Sequence, residues 1–121
     1  NLYGCIILDD MSNSEISEIM NQCEYFISYD LYTMYSRYAV LCGCKSVVIP
    51  DENLTKFEWR KEESLRYGIA YGFDDLDYAI STKNSFLDQL KNHEKKSIEY
   101  VKEFVRKTNA FFLSFFILLL T

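Results

Sequence analysis

The fold is decided by residues 25–50, which read YFISYDLYTMYSRYAVLCGCKSVVIP. Two short apolar runs, residues 25–29 and 46–50, flank a stretch with helical spacing, and this arrangement predicts a strand–helix–strand unit. The second run is β-branched and stops at the only proline of the chain. Asp30 can cap the helix, and Gly43 can end it. The face that this helix turns to the core is expected to consist of Met34, Tyr38 and Leu41.

The sequence on both sides of this unit continues the alternation of predicted strands and helices. Before this unit, the apolar run at residues 4–8 predicts a strand buried on both faces, and Ser12 with Glu15 forms a capping box that predicts a helix. After it, residues 67–71 predict another brief strand, and residues 76–108 have helical spacing. The whole pattern predicts an α/β fold, a Rossmann-like parallel sheet of about four strands with helices on both faces.

The composition excludes several classes of protein. The chain has 121 residues, of which 49% are apolar and 26% charged, so it is neither disordered nor collagen-like. Its net charge is −5 and it has no basic run, which argues against a duplex nucleic-acid binder. We expect one domain over residues 1–109, followed by an apolar tail at residues 110–121.

The cysteines and the absence of several known motifs restrict the metal, cofactor and catalytic chemistry that we expect of this chain. Cys5, Cys23, Cys42 and Cys44 are predicted to be buried or partly buried free thiols, because the C-G-C pair is too tight for a zinc knuckle and has no second pair nearby. Free thiols in a chain that opens without a secretory leader predict a cytoplasmic setting. No G-x-G-x-x-G, P-loop or G-x-S-x-G sequence occurs, and His93 stands in a Lys- and Glu-rich stretch typical of a solvated turn. We therefore predict neither a bound metal nor a cofactor.

The loop after the second predicted strand is the main candidate binding site. In a parallel sheet, the carboxyl ends of the strands and the N-termini of the helices meet at one edge, where N–H groups can bind anions. The hydroxyl of Thr33 and the amides of Tyr32, Thr33 and Met34 are predicted to hold a phosphate there. The simpler alternative is that Asp30 only caps the helix, and both interpretations can hold together.

Several segments of the chain resemble the C-terminal, nucleotide-sugar-binding half of GT-B glycosyltransferases. They are the loop Tyr29-Asp30-Leu31-Tyr32-Thr33, Ala39, the turn Cys42-Gly43-Cys44 and the strand Ser46-Val47-Val48-Ile49-Pro50. More narrowly, Glu58-Trp59-Arg60-Lys61 and Tyr67-Gly68-Ile69-Ala70-Tyr71-Gly72 are similar to WavQ-type transferases of bacterial lipopolysaccharide or capsule synthesis. Tyr38 departs from the wider family, which has at that place a Glu that bonds the donor ribose.

The resemblance implies a domain that binds a nucleotide-sugar donor, for transfer of the sugar to a surface polysaccharide or lipopolysaccharide. It implies a longer protein whose N-terminal domain binds the glycan or lipid-linked acceptor, so no catalytic residue is assigned in this chain. Arg60 or Lys61 is implied as the cation that neutralises the leaving diphosphate. The alternative for both cations is an exposed pairing with Glu58, Glu62 or Glu63. The alternative function is a non-catalytic, flavodoxin-like interaction module.

The apolar tail has three possible interpretations. Residues 110–120 as a helix reach about half of the ~30 Å hydrocarbon core, so they are too short to span a bilayer. Lys102, Arg106 and Lys107 precede them, which is compatible with peripheral contact with the inner leaflet of the membrane. Packing against the missing domain and a reading frame that ends early are the other two interpretations.

Overall fold

The computed structural model describes the backbone of residues 5–120 and the side chains of residues 5–107. It divides into two compact units, residues 1–87 and residues 88–121. The elements are α1 (Asn13–Met20), β1 (Tyr25–Ser28), α2 (Tyr35–Leu41), β2 (Lys45–Val48), α3 (Lys56–Trp59), β3 (Ile69–Tyr71) and α4 (Leu76–Leu120), with short 3-10 turns at Glu63–Leu65 and Phe73–Asp75.

The described strands form one parallel sheet in the order β1-β2-β3. Tyr25–Ser28 pairs with Lys45–Val48, and Ser46–Val48 pairs with Ile69–Tyr71. Parallel neighbours need a crossover connection, and here α2 connects the first pair while α3 lies in the connection of the second. The predicted α/β, Rossmann-like fold is confirmed.

Helices cover both faces of this sheet. On one face, Val47 and Ala70 pack against the start of α4, at Leu76 and Ala79. Phe26 contacts a second cluster, which α1 and α2 build from Ile16, Met20 and Ala39 together with Cys44. Neighbouring residues of a strand point to opposite faces, and Phe26 pairs with the residue that precedes Val47. The two clusters therefore lie on opposite faces, as predicted.

The first predicted strand is not part of the sheet. Residues 5–8 have no regular secondary structure, and Gly4 lies outside the described residues. Ile6 and Ile7 are exposed, whereas Leu8 packs onto the cluster of α1 and α2. The chain then turns through Asp10, at a φ of 64°. An apolar run becomes a strand only where a neighbour pairs with its backbone, and no described strand pairs with residues 5–8. The described sheet thus has three strands.

The buried face of α2 differs from the prediction. Ser36, Ala39 and Val40 are buried, while Met34, Tyr38 and Leu41 are each about half exposed. The small side chains let this short helix lie close to β2, so volume and not hydrophobicity decides which face is turned inward. The predicted end of the helix is confirmed, because Gly43 follows its last turn at a φ of 91°, a conformation that favours glycine.

All four cysteines are free thiols, as predicted. Cys44 is buried, Cys23 and Cys42 are partly buried, and Cys5 is exposed, which corrects its predicted burial. The Cys44 thiol donates to the carbonyl oxygen of Met20 at 2.9 Å. Burial raises the pKa of the Cys44 thiol, and the neighbouring thiols of Cys23 and Cys42 raise it further. Cys44 is therefore a structural residue of the core.

The predicted tail belongs to the last helix. Its backbone continues α4 to Leu120, and the side chains of residues 108–121 lie outside the described residues. Within the part of the chain that the structure describes, no helix has both the length and the apolar character needed to cross a bilayer.

Candidate functional site

The candidate site lies at the C-terminal edge of the sheet. Because the three strands are parallel, the loops that follow β1, β2 and β3 all leave the sheet at this edge. Gly72, directly after β3, has φ 87° and ψ 160°, and a Cβ atom there would stand 3.0 Å from Cγ of Pro50. Glycine is therefore needed where the loops after β2 and β3 meet.

The loop after β1 is organised by its own side chains. The Asp30 carboxylate accepts the N–H of Tyr32 at 2.9 Å, and the hydroxyl of Ser28 accepts the N–H of Asp30 at 3.0 Å. The hydroxyl of Thr33 accepts the N–H of Tyr35 at 3.2 Å. The residue that caps α2 is Met34, which makes no side-chain capping bond. Asp30 therefore stabilises the turn before the helix and does not cap α2, so that expectation was wrong.

The amides predicted to hold a phosphate are not equivalent. The N–H of Tyr32 is already bonded to the carboxylate of Asp30. The N–H groups of Thr33 and Met34 have no hydrogen-bond partner among the described residues. Two of the three predicted donors can thus reach a ligand without breaking a bond.

Trp59, the last residue of α3, contacts both the loop after β1 and the strand β3. Its side chain is 3% exposed, and its indole N–H donates to the carbonyl oxygen of Leu31 at 2.7 Å. Its ring stacks on Tyr71, with centroids 5.0 Å apart and planes 22° apart. The residue that follows Trp59 is therefore held close to Tyr32.

The guanidinium of Arg60 lies 5.7 Å from the centroid of the Tyr32 ring and 5.2 Å from that of Trp59. Its Nε atom is buried and has no hydrogen-bond partner in the described structure. Burial lowers the pKa of Arg60, and the nearby positive charge of Arg37 lowers it further. Neither Arg37 nor Arg60 has a carboxylate within ion-pair distance among the described side chains.

Lys61 is exposed, and the described structure shows no ion pair between Arg60 or Lys61 and Glu58, Glu62 or Glu63. Glu58 instead accepts the hydroxyl of Thr55 at 3.0 Å, at the start of α3. The structure therefore brings Arg60 to the loop of Tyr32 and leaves Lys61 at the surface beside it.

Arg66 is a positioning residue that the sequence analysis missed. It is buried, and its Nη1 donates to the carbonyl oxygens of Arg60 at 2.6 Å and of Lys61 at 3.3 Å. Its guanidinium also lies 5.0 Å from the centroid of the Phe57 ring. Arg66 thus holds the backbone that carries Arg60. Its position in a Glu-rich, polar stretch gives no sequence signal for such a role.

Asp75 joins the end of β3 to α3. One carboxylate oxygen accepts the N–H of Tyr71 at 3.0 Å, and the other pairs with Nζ of Lys56 at 2.9 Å. Both side chains are about four-fifths buried, and Nζ of Lys56 also lies 3.2 Å from the centroid of the Tyr78 ring. Burial raises the pKa of the Tyr78 phenol, against the opposing effect of nearby Arg66.

Replacing Asp75 with alanine is expected to lower the free energy of unfolding by about 2 kcal/mol, because the Tyr71 N–H and Lys56 both lose their partner. Urea denaturation followed by circular dichroism measures this change. Asp74→Ala is the matched control, because this neighbouring carboxylate is exposed, and its effect should stay within about 0.5 kcal/mol. Equal effects of the two substitutions would contradict the role given to Asp75.

Among the described residues, no group of three or more His, Cys, Asp or Glu side chains lies close enough together to hold a metal ion. The site instead contains arginines, several aromatic rings and two amides that have no hydrogen-bond partner among residues 5–107. Comparison of the chain with family models, with curated proteins and with solved structures finds no match.

Proposed function

We propose that this chain is the donor-binding domain of a glycosyltransferase that moves a sugar from a nucleotide sugar to a bacterial surface polysaccharide or lipopolysaccharide. The diphosphate of the donor binds at the C-terminal edge of the sheet, between the loop after β1 and Arg60. The acceptor and the catalytic base belong to a domain outside this chain.

The observation that carries the proposal is the guanidinium of Arg60, which lies beside the ring of Tyr32 with no carboxylate paired to it among the described side chains. Burial lowers the pKa of Arg60, and the positive charge of Arg37 lowers it further, so a bound anion would favour the charged form of Arg60. A diphosphate offers several negative oxygens and accepts guanidinium groups in bidentate geometry. Arg60 in particular has a buried Nε that lacks an acceptor in the described structure.

The backbone of the same loop can also donate hydrogen bonds to an anion. The N–H groups of Thr33 and Met34, which have no partner in the described part of the chain, stand in the loop whose Tyr32 ring contacts Arg60. Backbone N–H groups and arginines that face the same phosphate stabilise the charge that develops when the sugar leaves. Asp30, held in the turn by its bond to Tyr32, is exposed and can accept a hydroxyl group of the sugar.

A non-catalytic interaction module remains the second candidate. It is favoured by the exposed aromatic rings of Tyr29, Tyr32 and Phe57 around the same edge, because aromatic residues are enriched at protein interfaces. Titration of the isotope-labelled chain with UDP, GDP and CMP distinguishes the two functions. Saturable shifts in the amide signals of residues 30–36 with one of these nucleotides support donor binding. No shift with any of them supports the interaction module.

Replacing Arg60 with glutamine is expected to raise the Kd of the nucleoside diphosphate that binds by about 10- to 100-fold, because a hydrogen bond to a charged group contributes about 1.5–3 kcal/mol. Isothermal titration calorimetry measures the change. Lys45→Gln removes one positive charge at the first residue of β2, which lies at the opposite edge of the sheet, and should leave Kd within about 2-fold. A Kd that rises equally in both variants would show only general charge attraction and would contradict a site at Arg60.

A further inference from the structure

The second unit of the chain carries an exposed apolar strip on its helix. Ile98, Val101 and Val105 of α4 are 49%, 61% and 48% exposed. Residues three, four and seven positions apart lie on the same side of an α-helix, so these three side chains form one continuous strip. A strip of this kind in water is unfavourable unless a partner covers it.

The charges of this segment differ from those of the rest of the chain. Residues 91–107 contain six Lys or Arg and three Glu, whereas residues 1–90 contain seven Lys or Arg and fifteen Asp or Glu. A negatively charged surface would therefore attract residues 91–107 and repel the remainder. The partner that covers the strip is accordingly expected to be anionic.

The positive charges stand where an anionic surface needs them. At about 100° per residue, Lys91, Lys95 and Lys102 lie along one border of the strip, and Glu103 lies on the opposite side of the helix. Glu94 lies on the side of the strip, one turn before Ile98, so the strip begins after it. The three lysines and Glu94 are exposed, and Glu103 is half-buried. Lysines at such a border extend their apolar stems over the strip and keep their ammonium groups at the level of lipid headgroups.

Two further basic residues are partly neutralised within the helix. Arg106 and Lys107 approach the carboxylate of Glu103 at 2.6 Å and 3.7 Å. Lys91, Lys95 and Lys102, next to the strip, form no ion pair among the described side chains. An apolar strip with a border of lysines is typical of helices that lie in the plane of a membrane surface.

We propose that residues 91–107 of α4 dock on the surface of an anionic lipid bilayer, with Ile98, Val101 and Val105 entering the interface between headgroups and acyl chains. The sequence that follows, residues 110–120, is also largely apolar. The docking does not depend on the proposed donor site, and it predicts binding in the absence of any nucleotide.

The test is flotation of the full chain with vesicles of phosphatidylcholine, alone or with about 30% phosphatidylglycerol. We expect binding to the anionic vesicles and at least about 10-fold weaker binding to the neutral ones, with loss of the difference at high salt. Equal binding to both kinds of vesicle, or to neither, would overturn the proposal. A dimer in sedimentation that does not bind vesicles would show instead that the strip is an interface between two copies.

Paired substitutions separate this segment from the rest of the chain. Lys95→Gln/Lys102→Gln should weaken binding to anionic vesicles about 30-fold, and Lys45→Gln/Lys61→Gln, with the same loss of charge in the first unit, by less than about 2-fold. Ile98→Gln/Val101→Gln should weaken it about 10-fold or more. Unchanged binding of this last variant would assign the contact to residues 110–120 alone and overturn the role of the strip.

Discussion

Replacing Trp59 with alanine is expected to lower the free energy of unfolding by about 3–5 kcal/mol, a large fraction of the stability of a small domain. The ring is 3% exposed, and its loss leaves a cavity between α3 and β3, where it now stacks on Tyr71. The substitution also leaves the carbonyl oxygen of Leu31 without its donor. Urea denaturation monitored by circular dichroism measures the loss.

Two further variants separate the causes of this effect. Trp59→Phe keeps most of the buried ring but removes the indole N–H, so it should lower the free energy of unfolding by about 1–2 kcal/mol. Phe57→Ala is the control in the same short helix, because this ring is exposed and contributes mainly through its contact with Arg66. Its effect should stay below about 1 kcal/mol. A loss in Trp59→Ala no larger than in Phe57→Ala would contradict the central position of Trp59.

Local signals in the sequence predict the elements of this fold well. Ser12 caps α1 as its S-x-x-E pattern indicates, with its hydroxyl accepting the N–H of Glu15 at 3.3 Å. The β-branched run around Val47 and Val48 is the central strand, and its last three residues are buried. Both signals depend on residues within one turn or one strand, which is why they can be interpreted without tertiary information.

Predictions that depend on neighbours were less successful. Residues 5–8 have the composition of a buried strand, but a strand needs a partner, and composition does not say whether one is present. In α2, the apolar residues Met34 and Leu41 were assigned to the core, yet the close contact with β2 requires the small residues Ser36 and Ala39. Side-chain volume at a contact is a tertiary property, and hydrophobic spacing does not report it.

The candidate site also has features that the sequence predicts and features that depend on tertiary contacts. The edge of the sheet follows from the order of strands and helices, and Arg60 was expected there only from the resemblance to known transferases. The contribution of Arg37 and Arg66 was not foreseen, because arginines in helical stretches are usually exposed. Arg66 becomes buried because two carbonyl oxygens at Arg60 and Lys61 turn toward it, which no local pattern encodes.

Replacing Phe86 with alanine is expected to lower the free energy of unfolding by about 3–5 kcal/mol. The ring is 1% exposed, and alanine would leave a cavity in the place of the ring. Ile80→Ala is the control on the same helix, since Ile80 is exposed and its loss should cost less than about 0.5 kcal/mol. Phe86 also supports the site, because the guanidinium of Arg37 lies 4.9 Å from its ring centroid.

A milder substitution at the same position tests whether the buried Phe86 ring affects nucleotide binding at the candidate site. Phe86→Leu retains much of the buried volume and should cost about 1.5 kcal/mol, so the protein remains folded. Because leucine has no aromatic face, Arg37 loses a contact worth about 0.5–1 kcal/mol that holds its guanidinium near Arg60. Nucleoside diphosphate binding should therefore weaken by about 2- to 5-fold in Phe86→Leu and stay unchanged in Ile80→Ala. Unchanged binding in Phe86→Leu would mean that Arg37 reaches the anion without this support, and would leave Arg60 as the residue on which the site depends.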